Sequence, residues 1–145
     1  MTVIAEAAPA PRDRWLRAIW YGLLAEISTI ATIVVIVTFY RYGIAKGLSD
    51  AEYTAFGQRV GAIVGVVGGT AFTFLFAHRL MRRLSSNFVA HGIVVAVAAI
   101  ALSVGGSIAG HQGVPTAYIL ASLLKLASGA FAGSGWMRSA SPLRT

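Results

Sequence analysis

The chain has 145 residues, 57% of them apolar and 12% charged, with a net charge of +7 and a mean hydropathy of +0.72. The charged share is half the usual level of roughly 25%, too little to coat a water-soluble domain. With no cysteine in the sequence, a disulfide framework, an iron–sulfur cluster and a thiolate zinc site are all excluded.

Residues 1–14 include Ala7-Ala8-Pro9-Ala10-Pro11 and show no periodicity, so they are expected to form a mobile tail. Four apolar cores follow, from Ala18 to Phe39, Val60 to Ala77, Phe88 to Ile108 and Val114 to Trp136. Each runs for about 18 to 23 residues, which at 1.5 Å per residue matches a hydrocarbon layer of roughly 30 Å. Spans are therefore expected at about residues 16–40, 57–78, 88–109 and 114–136 of a domain covering 15–137, with a tail at 138–145. A cleavable leader would have an apolar core of only about 7 to 15 residues. The first span is longer and ends in Tyr40-Arg41-Tyr42, as a retained anchor does.

Short polar connections join the spans. Ser49-Asp50-Ala51-Glu52 has capping-box spacing, so the second helix should start near Asp50. Asn87 is a candidate cap for the third helix, and Pro115 suits the first turn of the fourth. The expected fold is all-α, an integral-membrane up-down bundle of four transmembrane helices.

The bases set its orientation. With the N-terminus in the cytoplasm, that side holds Arg12, Arg14, Arg17, Arg79, Arg82, Arg83, Arg138 and Arg144, against Arg41, Lys46 and Arg59 opposite. The positive-inside rule then puts both termini in the cytoplasm, and a small Ala/Gly/Arg-rich chain suggests a bacterial-type inner (plasma) membrane. Trp15, Trp20 and Trp136 fall at one interface, and Tyr40, Tyr42, Tyr53 and Tyr118 at the other. Arg79, Arg82 and Arg83 are expected on lipid headgroups, each gaining about 1 kcal/mol from an anionic leaflet. The lipid bilayer thus accounts for a pI of 10.6 without nucleic acid, although docking to an acidic cytosolic protein is a second way to use these arginines.

Small residues recur at helical spacing. Gly57, Gly61, Gly65 and Gly69 fall four apart in the second span, and Ala117, Ala121, Gly129 and Gly133 share a face of the fourth with Lys125 between them. The third span continues the theme with Ala99, Ser103 and Ser107. Such rows let backbones approach closely and gain dispersion contacts that lipid does not replace. They are read as helix-packing seams, either within one bundle or in a homo-oligomer or larger membrane complex.

Glu26 and Lys125 are the two formal charges deep in the spans. A Lys at a helix centre costs about 2.5 to 3.5 kcal/mol on the insertion scale, so Lys125 needs a carboxylate or water. Glu26 and Lys125 lie at similar depth and are expected to pair if their helices are neighbours, with Thr29 one turn from Glu26 as a supporting polar group. The pair either specifies which helices pack or marks an ion, proton or substrate path.

Leu24-Ala25-Glu26-Ile27, followed by Thr29, resembles the first helix of small multidrug resistance transporters, four-helix proteins in which a membrane Glu binds a proton or a cationic drug. The resemblance covers this one stretch and implies a cation site at Glu26. The chain departs from the family in its longer first loop, in Lys125, and in lacking the family's aromatic residues in the third helix. If Lys125 neutralises Glu26, the implied cation site is lost.

His78 and His91 flank the second connection and are expected to face each other, a poor metal site without carboxylate or thiolate. His111 is read as solvated. No nucleophile with an oriented base, phosphate loop or paired carboxylates is present, so no enzyme activity, metal or cofactor is expected. The function expected first is a non-enzymatic multi-pass scaffold or accessory subunit associating through its glycine faces. The alternative is a small proton- or cation-coupled transporter using Glu26.

Overall fold

A computed structural model describes residues 11–110 and 116–139. They form α1 (Pro11–Phe39), which runs into one π-helical turn (Tyr40–Ile44), then α2 (Asp50–Met81), α3 (Phe88–Ala109) and α4 (Thr116–Ser139), with no strand among the described residues. By length and composition, three helical stretches are long and apolar enough to cross a membrane: Arg14–Ile44, Asp50–Met81 and Phe88–Ala109. The 24-residue α4 is not among these three. The expected tails, as far as residues 1–10 and 140–145, and the 111–115 connection with His111 and Pro115 lie outside the described residues. Residues 11–14, expected in the tail, are helical. Pro suits such a start because a first-turn N–H has no intrahelical partner to lose.

The α1–α2 connection is tied by local chemistry. Ser49 caps α2 in a full capping box: its backbone N–H donates to Glu52 Oε2 at 2.8 Å, and its Oγ accepts from the Glu52 N–H at 3.4 Å. Gly47 takes φ +86°, a left-handed turn that a Cβ would disfavour. The Tyr53 hydroxyl donates to the Ala45 carbonyl at 2.7 Å, and Arg41 donates to Asp50 Oδ1 at 3.2 Å while lying 4.7 Å from the Tyr53 ring centroid. The π turn, with Tyr40 stacked on Phe56 at 3.7 Å, had no sequence signal.

Asn87 precedes α3, but not as a side-chain cap. It sits in the left-handed region at φ 56°, its side chain caps nothing, and its carbonyl accepts from His91 N and Nδ1 at 3.1 and 2.9 Å.

Around the bundle, α1 packs against α2 and α3, and α4 packs against the same two. The circuit therefore runs α1, α2, α4, α3, with α1 and α4 on one diagonal and the lightly touching α2 and α3 on the other. Direction follows from end contacts. Trp15 stacks on His91 and Trp136 donates to His78 at one end, while Tyr40 meets Phe56 at the other. Neighbouring α1 and α3 are parallel, as are α2 and α4.

The packed core occupies the end where α1 and α3 begin, and contains Ala18, Ala77, Leu80, Met81, Phe88, Val95 and Ala132. Gly92 and Gly129 bring the α3 and α4 backbones into contact, because a Cβ on either would strike the other's carbonyl. Gly22 does the same for α1 against Val95 of α3, and Gly133 for α4 against Phe88 and Val89. The outside is apolar on every helix, with Val35, Ile63, Ile108 and Phe131 each more than 60% exposed. Buried positions, by contrast, include Glu26, Thr29, Thr73, His91, Ser107 and Lys125. This polar-in, apolar-out distribution suits a lipid surrounding.

Candidate functional site

Midway along the bundle Lys125 Nζ donates to Glu26 Oε2 at 2.5 Å, with residue exposures of 3% and 4%. Their helices are diagonal rather than adjacent, so the contact spans the middle of the bundle. The length of the lysine stem makes this possible, and so does Gly69. A Cβ on Gly69 would lie 2.7 Å from Lys125 Cε and 3.8 Å from Thr29 Cγ2, so the missing side chain is the groove through which Lys125 reaches across. Removing two charges from water costs several kcal/mol per ion, and close geometry is needed to recover it.

Thr29 is buried beside the pair, but its hydroxyl donates to its own helix, to the Ala25 carbonyl at 3.0 Å. Thr73 Oγ1 likewise donates to the Gly69 carbonyl at 2.7 Å. Both hydroxyls are spent on backbone, and among the described residues Lys125 is the one hydrogen-bond partner of the Glu26 carboxylate.

From this pair a cavity of about 980 Å³ extends toward Thr54, Gly110 and Tyr118, at the end opposite the packed core. All four helices line it. Glu26, Thr29, Ile30 and Ile33 come from α1, and Thr54, Gln58 and Val66 from α2; Leu102, Ser103 and Ser107 come from α3, and Tyr118, Ala121 and Lys125 from α4. The ion pair forms one end of it and neutral hydroxyl, amide and aliphatic groups form the walls.

The glycines expected as seams divide between two settings. Gly129 and Gly133 pack against backbone of α3. Gly61 and Gly65 do not pack: both line the cavity, and a Cβ added to either meets nothing within 4 Å. Gly57 also lines it, with only Val37 Cγ2 at 3.8 Å, whereas Gly69 closes on Lys125. Here the α2 row makes space instead of contact, since its helix face looks into the cavity. Gly22 and Gly92 make two of the tightest approaches and were missed. Ala18-Gly22 and Gly92-Ala96, each four apart, were the available signal.

His78 and His91 do not face each other. His78 Nδ1 accepts from Trp136 Nε1 at 3.2 Å, and His91 stacks on Trp15 with ring centroids 4.1 Å apart, because α2 and α3 are diagonal. Arg79, Arg82 and Arg83 are exposed at the end that holds the packed core. Among the described residues no group of three His, Cys, Asp or Glu comes together to hold a metal ion. Compared with protein-family models, with curated proteins and with solved structures, the chain matches none.

Proposed function

We propose that the chain is a four-span inner-membrane protein with both termini in the cytoplasm, and that it acts as a small non-enzymatic carrier binding a polar solute at Glu26–Lys125. The cavity carries this reading. The pair is itself buried, at 3% and 4% exposure, but it lies at the end of a space of about 980 Å³ lined by all four helices, which a pair serving only to hold two helices together would not need. Intramembrane ionisable groups facing such a space are the usual elements of a solute path.

Four spans are supported by the outward apolar face of α4, where Ile119, Leu123 and Phe131 are exposed. The orientation rests on the arginines gathered at one end. A scaffold associating through the α2 glycines draws less support, since Gly61 and Gly65 line the cavity rather than an outer face. Simple cation capture at Glu26 draws less too, since the Lys125 ammonium already occupies the carboxylate.

The sequence has no cysteine, so water access can be read one position at a time. Gly61→Cys in intact cells should react with a membrane-impermeant thiosulfonate, while Ile63→Cys, on the 66% exposed apolar outside, should not. An unreactive Gly61→Cys in folded protein would remove the observation on which the reading stands.

A further inference from the structure

We propose that the cavity selects zwitterions: small molecules of the α-amino-acid type, whose carboxylate is received by Lys125 and whose ammonium is received by Glu26. This deepens the reading above and rests on it. The first reason is charge balance. The end of the cavity carries one charge of each sign, 3% and 4% exposed, already in contact. A cation accepted by Glu26 alone adds an uncompensated positive charge beside the buried Lys125 ammonium, and an anion accepted by Lys125 alone adds an uncompensated negative charge beside Glu26. A ligand bearing both signs inserts between them, exchanging one ion pair for two, and leaves no charge alone.

The second reason is unused hydrogen-bonding capacity. An ammonium has three donors, and among the described residues Lys125 commits one, to Glu26 Oε2. Among the described residues the other carboxylate oxygen of Glu26 has no hydrogen bond. It is not sealed in protein either, because the one fully sealed side-chain polar atom without a partner among the described residues is His91 Nε2. Glu26 is among the residues lining the cavity, so a ligand in that space lies beside its side chain.

The third reason is the walls. Ile30, Ile33, Val66 and Leu102 offer an aliphatic surface to a side chain, while Gln58 and Ser103 offer neutral polar groups that disturb neither charge. The volume lies at the top of the range of roughly 300 to 1,000 Å³ usual for small-molecule sites. Gly61 and Gly65 keep the space open, and Gly69 lets the Lys125 stem lie close against α2.

The test is calorimetric binding to the full chain in detergent, with three probes of one skeleton: leucine, leucinamide (cation only) and 4-methylpentanoate (anion only). Leucine should bind at least tenfold more tightly than either. Glu26→Gln should abolish that preference, and so should Gly65→Leu, which puts a side chain into the cavity and leaves both charged residues in the chain. If leucinamide or 4-methylpentanoate binds as well as leucine and Gly65→Leu removes that binding, the zwitterion class is overturned and the cavity stands as a solute site. The class is equally overturned if leucine binding survives Gly65→Leu, or if no probe binds while Gly61→Cys remains reactive in cells. No binding together with an unreactive Gly61→Cys overturns both proposals.

Discussion

On one side of the Glu26–Lys125 pair, Gly22, Gly92, Gly129 and Gly133 bring helices into backbone contact around Leu80, Met81 and Val95. On the other side, Gly57, Gly61 and Gly65 share the same helical spacing and line a cavity of about 980 Å³. Glycine without a neighbour contributes no packing and still costs helix stability, roughly 0.5–1 kcal/mol relative to alanine. Its presence in three successive turns is understandable if the volume it leaves is used. The closed half supplies stability, and the open half gives up stability for space.

The largest effect should come from forcing a side chain into the closed half. Gly92→Leu meets the Gly129 carbonyl, which is backbone and cannot rotate away. Overpacking normally costs about 1–3 kcal/mol, and this substitution should reach or exceed the upper figure, read as loss of monodisperse protein in detergent and a collapse in melting temperature. A folded, stable Gly92→Leu would erase the distinction between the halves.

Next comes the boundary. Lys125→Met leaves the Glu26 carboxylate alone inside the bundle and should cost about 3–5 kcal/mol, whereas adding Glu26→Gln should recover much of the loss. Stability of the two single variants and the double variant gives the coupling, and additive losses would mean that the charges act separately.

Gly61→Ala should have the opposite sign to the closed-half variant. With nothing within 4 Å of the added Cβ, the helix gains about 0.5–1 kcal/mol from alanine, visible as a raised melting temperature. A destabilised Gly61→Ala would show that this half closes in the membrane. The smallest effect on stability should come from Arg82→Ala and Arg83→Ala, exposed at the closed end. Melting should hardly change, while affinity for anionic vesicles drops by about 1 kcal/mol per charge.

Much of the architecture was legible. Long apolar runs report directly on helices in lipid, because a span must satisfy its backbone internally and face hydrocarbon outside. The start of α2 was legible because Ser49 and Glu52 act within one turn. Asn87 was misread because its residue type permits a side-chain cap without imposing one, and here the side chain makes no capping bond. Among the glycines, spacing alone did not separate Gly65 from Gly129: the i, i+4 pattern states which residues share a face, not what lies opposite it.

By itself the sequence determined the all-helical class, the apolar stretches long enough for a membrane, and the isolation of Glu26 and Lys125 at similar depth. These follow from composition and from 1.5 Å of rise per residue. Only the tertiary structure decided that α1 and α4 are diagonal, that Gly69 clears the route for Lys125, and that the pair faces a cavity rather than a packed core. The reason is physical: the order of helices around a bundle depends on close approaches between residues distant in sequence, such as Gly92 with Gly129 and Gly22 with Val95. No periodicity within one helix encodes its partner.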